Sequence, residues 1–167
     1  MNENYIVING KKIELTEEQL KQLGIETEKK RKNPFERVTK GNVYYKITGY
    51  GNVDNYREDG DSTDQALYDG YNYFTDESVA QQVALHQLLY RKLLKFAYDN
   101  GLEDIEKWNG LNQHWYVFYN YAGECFNYYF NDEHKSQSVY FSSPEGASRA
   151  IKEVVEPFMK EHPEFVW

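Results

Sequence analysis

One pattern in the chain recurs, and it constrains the fold more than any other feature. Tyr73-Phe74-Thr75, followed by Ala80, returns 67 residues later as Tyr140-Phe141-Ser142, followed by Ala147. In both places a helix start comes next. Asp76 is a good N-cap ahead of the first, and Ser143 with Pro144 at the first helical position marks the second. An aromatic hairpin lies upstream of each motif. Val43-Tyr44-Tyr45-Lys46-Ile47 turns through Gly49-Tyr50-Gly51-Asn52. Trp115-Tyr116-Val117-Phe118-Tyr119 turns through Asn120-Tyr121-Ala122-Gly123 and returns through Cys125-Phe126-Asn127-Tyr128-Tyr129-Phe130. Each unit therefore reads strand–strand–strand–helix, which predicts an α+β fold with antiparallel sheet and helices packed on one side of it. If the units correspond, Phe74 and Phe141 are both buried at the strand-to-helix junction. Ala80 and Ala147 then both sit where a helix closely approaches its sheet.

The helices are the better defined elements. From Glu77 to Asp99, apolar residues including Val79, Val83, Leu85, Leu88, Leu89, Leu93, Phe96 and Ala97 recur near helical spacing with no internal Gly or Pro, and Asn100-Gly101 ends the run. The second helix is expected from Pro144 to about Lys160, shortened or kinked by Pro157. One or two helical turns are expected over Glu103 to Trp108.

The N-terminal 24 residues form a separate small unit. Asn9-Gly10 between Tyr5–Ile8 and Ile13–Leu15 is a strong hairpin signal, because a type I′ turn needs positive φ. Thr16 and Gln19 make a capping box, Leu20 and Leu23 mark an apolar face, and Gly24 is a natural stop. Residues 25–34 read as a charged linker ending at Asn33-Pro34. The expected organisation is thus a hairpin-helix unit (1–24), the linker, a first repeat (35–101) and a second (102–167).

Leu, Ile, Val and Phe are few in this chain, but 16 Tyr, 9 Phe and 3 Trp supply a core, since each aromatic buries on the order of 150–250 Å². No apolar run approaches the roughly 20 residues of a membrane span, and no apolar leader follows the start Met. With a lone Cys125 there is no disulfide framework, and an intracellular chain is the expectation.

Catalytic and metal signatures do not emerge from the sequence. His86, His114, His134 and His162 have no partner at metal-ligand spacing, and no nucleophile elbow or phosphate-binding glycine motif occurs. His86 reads as a half-buried helix residue. His134, beside Asp132 and Glu133, is a weak general-base candidate. Cys125, among strand aromatics, reads as a buried, inert thiol. Asp59-Gly60-Asp61 lacks the alternating carboxylates and closing Glu of a calcium loop. The expectation is no catalytic residue, no metal and no cofactor.

Charge is the strongest surface signal. The net charge is −8, made of +2 over residues 1–42, −4 over 43–100 and −6 over 101–167. An acidic body disfavours direct nucleic-acid binding, which draws on Lys and Arg neutralising phosphates. The basic run Lys29-Lys30-Arg31-Lys32 reads as a solvated linker, with a nucleic-acid contact as its alternative. Between Asp54 and Asp69 the carboxylates cluster. Asp54, Glu58, Asp59, Asp61, Asp64 and Asp69, with Tyr56 and Tyr68, form a candidate partner-binding surface on what reads as a long, partly ordered connection.

Tyr5 to Leu23, the basic linker, Asn33-Pro34-Phe35-Glu36-Arg37-Val38, Tyr44-Tyr45-Lys46-Ile47, and Asn72-Tyr73-Phe74-Thr75 opening a long helix together resemble small accessory proteins carried by prophages and mobile elements of low-GC Gram-positive bacteria. The resemblance spans most of the chain, and it brings no catalytic signature onto any residue. It implies a context of phage accessory genes, whose products include inhibitors of host defence such as anti-CRISPRs. Small acidic inhibitors of that kind bind a nuclease where its nucleic acid would lie. The functional expectation is then a non-enzymatic acidic interaction protein in the cytoplasm of an infected or lysogenic host, with a basic host protein as partner, such as a nucleic-acid-binding effector. The alternatives are a nucleic-acid-binding accessory protein using Lys29–Lys32 and exposed strand tyrosines, or a protein sequestering a small ligand between the two repeats.

Overall fold

A computed structural model describes residues 5–8, 10–22 and 33–167. The chain falls into two compact units, residues 1–33 and 34–167. In the first, β1 (Tyr5–Ile8) and β2 (Lys11–Glu14) pair antiparallel, with Gly10 at φ +79°, followed by the short helix α1 (Glu17–Gln22). The expected capping box forms: Thr16 N–H donates to Gln19 Oε1 at 2.9 Å, and Gln19 N–H donates back to Thr16 Oγ1 at 3.3 Å. Leu23, Gly24 and most of the linker, including Lys29, Lys30, Arg31 and Lys32, lie outside the described residues.

The second unit is mixed helix and antiparallel sheet, the α+β class expected. β3 (Val43–Ile47) pairs with β4 (Val53–Arg57), and Tyr45 bridges to Phe74 on the other side of β3. β5 (His114–Asn120) lies between β6 (Cys125–Asn131) and the two-residue β7 (Tyr140–Phe141), with Trp115 opposite Phe141. After the second hairpin β7 returns beside β5; after the first only Phe74 does so, as a single bridge to Tyr45 in place of the third strand expected, and the two hairpins stand in separate sheets. Phe74 is 1% exposed and Phe141 0%, while Ala80 and Ala147 are both fully buried. Helix α3 (Glu77–Asp99) packs on β3 and β4, and helix α4 (Pro144–Ala150) on β5, β6 and β7. The helix α2 (Ser62–Asp69) was not anticipated, and the turns expected over Glu103–Trp108 are instead irregular, with Glu103 bridging to Phe141.

Local chemistry explains the helix ends. Asp76 caps α3 by accepting from the N–H groups of Ser78 and Val79. At its C-terminus Gly101 adopts φ +61°, which lets Leu102 N–H reach Ala97 O at 2.8 Å and Gly101 N–H reach Tyr98 O. The second helix runs from α4 through a π-helical stretch, Ile151–Val155, into α5 (Glu156–Glu161). Glu156 N–H reaches back five residues to Ile151 O. The widened turn sits just ahead of Pro157, whose ring offers no N–H to the Glu153 carbonyl and crowds it; the path bulges rather than breaks.

The main core lies where the C-terminal half of α3 meets α4, the π stretch and the three-stranded sheet. Leu89, Leu93, Phe96, Val117, Phe141, Ala150, Ile151, Val155 and Phe158 fill it. The C-terminal tail closes it. Gln82 of α3 clamps the tail by donating to Glu164 O and accepting from Val166 N–H, and Phe165 packs edge-on to Phe158. Among the described residues no helix is long and apolar enough to cross a membrane.

Phe141 joins sheet, helix and core with no exposed surface. Phe141→Ala is expected to cost about 3–5 kcal/mol, read as a lower urea midpoint at unchanged slope.

Candidate functional site

The stretch from Asp54 to Asp69 is not a connection but a strand end, a tight turn and a helix. β4 carries Asp54, Tyr56 and Arg57 outward, Glu58 to Asp61 make the turn, and α2 begins at Ser62. The capping logic was in the sequence as Asp-x-x-Asp. Asp61 accepts from the N–H groups of Thr63 and Asp64, and the Asp64 carboxylate reaches back to Asp61 N–H. Ala66, Leu67 and Tyr68 stand side by side in this helix, so it shows no apolar period and the cap is its one sequence signal.

This geometry divides the carboxylates into two sets. Glu58 and Asp64 are buried, at 3% and 4% exposure, and face inward. Glu58 takes a two-pronged ion pair from Arg37, with Nε to Oε2 at 3.0 Å and Nη2 to Oε1 at 2.9 Å. It also accepts from Tyr73 OH at 2.8 Å and Gly60 N–H at 2.9 Å. Asp64 accepts from Tyr44 OH at 2.7 Å and from the N–H groups of Asp59 and Gly60 at 2.8 and 2.9 Å. Tyr44 and Tyr73 stack at 4.0 Å, so the two carboxylates are joined through a pair of rings. Tyr68 is edge-on to Tyr73 with Arg37 over its ring, and is half-buried in this cluster. The other members, Asp54, Asp59, Asp61, Asp69 and Tyr56, are exposed.

The electrostatics follow from the bonding. The Tyr44 hydroxyl and three backbone N–H groups hold Asp64 down at about 2 against the cost of its burial. The Arg37 guanidinium holds Glu58 below the usual carboxylate range, helped by Tyr73. Burial, and then the bond to Glu58, push Tyr73 up to about 12; burial and Asp64 raise Tyr44 likewise. Each of these groups is committed to the turn that presents Asp59 and Asp61.

A second polar cluster, which the sequence reading passed over, lies under the second hairpin. His114 is fully buried; its Nδ1 is 2.8 Å from Asp104 Oδ2, a bond in which the ring nitrogen is the natural donor. Trp108 stacks on the imidazole at 3.8 Å and stands edge-on to Tyr140. The arrangement has the orientation of a general-base dyad, but His114 Nε2 is sealed inside without a hydrogen-bond partner and does not reach the surface. No motif links Asp104 to His114, ten residues on; the segment between them becomes a lid only in three dimensions.

The remaining candidates sit apart from these clusters. His134 is exposed, with Glu133 at 3.9 Å. His86 is exposed rather than half-buried, with its ring against Phe165. Cys125 is exposed, not buried: it opens β6 beside the hairpin turn, and alternation places it with Asn127 and Tyr129 on the face turned away from the core, opposite Phe126 and Tyr128. Among the described residues no group of three or more His, Cys, Asp or Glu is placed to hold a metal ion. An open cleft of about 280 Å³ lies between α3 and the π stretch with α5, floored by Phe96, Val154 and Phe158 and rimmed by the Lys92–Glu161 pair. It is smaller than the roughly 300–1,000 Å³ of ordinary ligand pockets. Compared with protein-family models, with curated proteins and with solved structures, the chain finds no match in any of the three.

Asp64 gives the fold an acid limit. A carboxyl depressed in the folded state stabilises above its ordinary pKa, near 4, and that contribution disappears as pH falls toward about 2. Urea midpoints measured from pH 5 to pH 2 are expected to fall steeply in the wild type, and less steeply in Asp64→Asn, which starts from a lower midpoint.

Proposed function

We propose that this chain is a non-enzymatic interaction protein that docks an acidic, aromatic surface on a basic protein partner. In the phage or mobile-element setting that the sequence resemblance implies, the partner is a nucleic-acid-binding host effector, and the protein inhibits a defence nuclease in the manner of an anti-CRISPR. The cytoplasm of the infected or lysogenic cell is then its place of action.

The observation that carries this reading is the division of labour between Asp54 and Asp69. Glu58 and Asp64 are consumed in bracing the turn, while Asp54, Asp59, Asp61, Asp69 and Tyr56 remain exposed, with Lys46 Nζ 3.7 Å from the centre of the Tyr56 ring. Braced carboxylates bind with less ordering cost than the same charges on a mobile loop. A net charge of −8 steers a basic partner toward them and repels nucleic acid. The buried ionisable groups support a bracing role in place of catalysis, since their hydrogen bonds are spent on the fold.

Charge reversal has to spare the residues that brace the turn. Asp61 caps α2 and Asp64 is buried, so the informative variant is Asp54→Lys with Asp59→Lys and Asp69→Lys. Immobilised wild-type protein is expected to retain a basic protein from host lysate, identified by mass spectrometry, with retention weakening as salt rises. The triple variant, with unchanged circular dichroism, is expected to bind that protein at least tenfold more weakly, about 1.4 kcal/mol. Equal binding by the variant refutes this surface as the site, and no retained protein at low salt refutes the reading itself.

A further inference from the structure

We infer that the outer edge of β6 is a second docking site, which takes an extended segment of a partner protein as an added antiparallel strand, with Lys or Arg at both ends of an uncharged middle. This site is separate from the acidic surface of β4 and α2 and does not depend on it.

β6 pairs with β5 along its whole length, from Cys125 opposite Asn120 to Asn131 opposite His114, and among the described residues no strand pairs with its other side. Tyr128 N–H is turned away from β5 and is met only by the neighbouring Asn127 Oδ1, at 2.8 Å. Antiparallel pairing alternates, so Phe126 and Phe130 turn their backbone groups to the same open side. Proteins ordinarily guard such edges with charge, proline or a bulge. The sequence Cys-Phe-Asn-Tyr-Tyr-Phe-Asn has none of these, and its register is unbroken. The other edges of these two sheets are guarded: β4 carries Asp54 and Arg57, and the open side of β7 is taken by the Glu103 bridge and by Ser142 N–H donating to Leu102 O. Side chains along β6 are also unfinished. Phe126, Tyr128 and Phe130 are only half-buried, and Tyr129 is 57% exposed.

Charge at the strand ends selects the occupant. Glu124 precedes β6, and Asp132 and Glu133 follow it. A second copy pairing antiparallel about Tyr128 sets Glu124 opposite Asp132 twice, and parallel pairing sets each acid against itself. Like charges directly opposite destabilise a strand pair. A segment with cations at both ends meets acid at both ends instead, and its backbone supplies the missing hydrogen bonds.

The test uses the full chain and a labelled peptide, Lys-Lys-Thr-Val-Thr-Val-Thr-Lys-Lys, followed by fluorescence polarisation. Saturable binding is expected. N-methylation of alternate peptide nitrogens, which blocks backbone pairing without changing charge, is expected to weaken binding at least tenfold. Tyr128→Pro is expected to weaken it similarly with the fold intact, because that N–H serves no bond to β5. The Asp54→Lys, Asp59→Lys, Asp69→Lys variant is expected to bind the peptide like the wild type, so failure of one site is told from failure of the other. Equal binding of the plain and N-methylated peptides, peptide binding lost in that triple variant, or no binding at low salt overturns the inference. If Tyr128→Pro does not fold, the two peptides on wild-type protein still decide. A wild-type dimer in analytical ultracentrifugation that Tyr128→Pro converts to monomer overturns it in favour of a second copy.

Discussion

A hairpin built from aromatic residues has two faces to cover, and a single helix covers one. The rest of this structure depends on how the second face is closed. On the first hairpin Tyr45 pairs with Phe74 and faces α3, so its neighbour Tyr44 lies on the opposite face. Helix α2 covers that face, and Asp64 fixes it by taking the Tyr44 hydroxyl. On the second hairpin Trp115 pairs with Phe141, and its neighbour His114 lies on the opposite face. The segment carrying Trp108 covers it, and Asp104 takes the imidazole. The two positions correspond through their strand pairing. In both, one carboxylate meets a buried polar ring, fully for the Tyr44 hydroxyl and at Nδ1 alone for His114, whose Nε2 stays without a partner.

The covering segments come from opposite directions in the chain. α2 follows its hairpin, whereas the Trp108 segment precedes its own. This difference separates what was legible in the sequence from what was not. Features written within a few residues were legible: the Thr16–Gln19 box, the Asp76 and Ser143 caps, the Asn100-Gly101 stop, and the two Phe positions at strand-to-helix junctions. Closure of the outer faces was not, because neither lid has an apolar period. One is a short polar helix held by its cap; the other is an irregular run that Trp108 pins by stacking. The position of Cys125 was missed for a related reason. Aromatic neighbours suggest burial, but the residue alternates with Phe126 and falls on the outer face of the strand, the face of His114, at the turn end away from the Trp108 segment.

The same logic sorts the acidic residues of the candidate site. Composition placed six carboxylates in one stretch, and nothing in their spacing said which would turn inward. Burial fell on the two that donors meet from several sides: Glu58 because Arg37 and Tyr73 reach it, and Asp64 because Tyr44 and the N–H groups of the turn converge on it. A carboxylate accepting several hydrogen bonds in a low-dielectric site is a rigid anchor, and removing its partners leaves an uncompensated charge inside. The outward acids therefore inherit a fixed backbone from the inward ones. Their charge is a surface property, but their placement belongs to the core.

Unequal hairpin lengths complete the picture. The arms of the first hairpin are five residues long; α3 packs on one face, and α2 meets the other at Tyr44, leaving Asp54 and Tyr56 exposed. The arms of the second are seven residues long, and the lid reaches only the end around His114, Tyr140 and Trp108. Beyond that end the sheet continues past its cover, with Tyr129 and Cys125 in solvent and an aromatic strand at the margin. The C-terminal tail partly compensates on the side of the turn, where Trp167 packs on Phe126 and its carbonyl accepts from Tyr121 OH. Among the described residues no backbone hydrogen bond joins it to β6. A chain of this length that can brace an acidic turn with two carboxylates, an arginine and two tyrosines has the means to guard a strand edge with a single lysine. On β4 a charged residue stands at the edge; on β6 none does, and the acids are held back to its two ends.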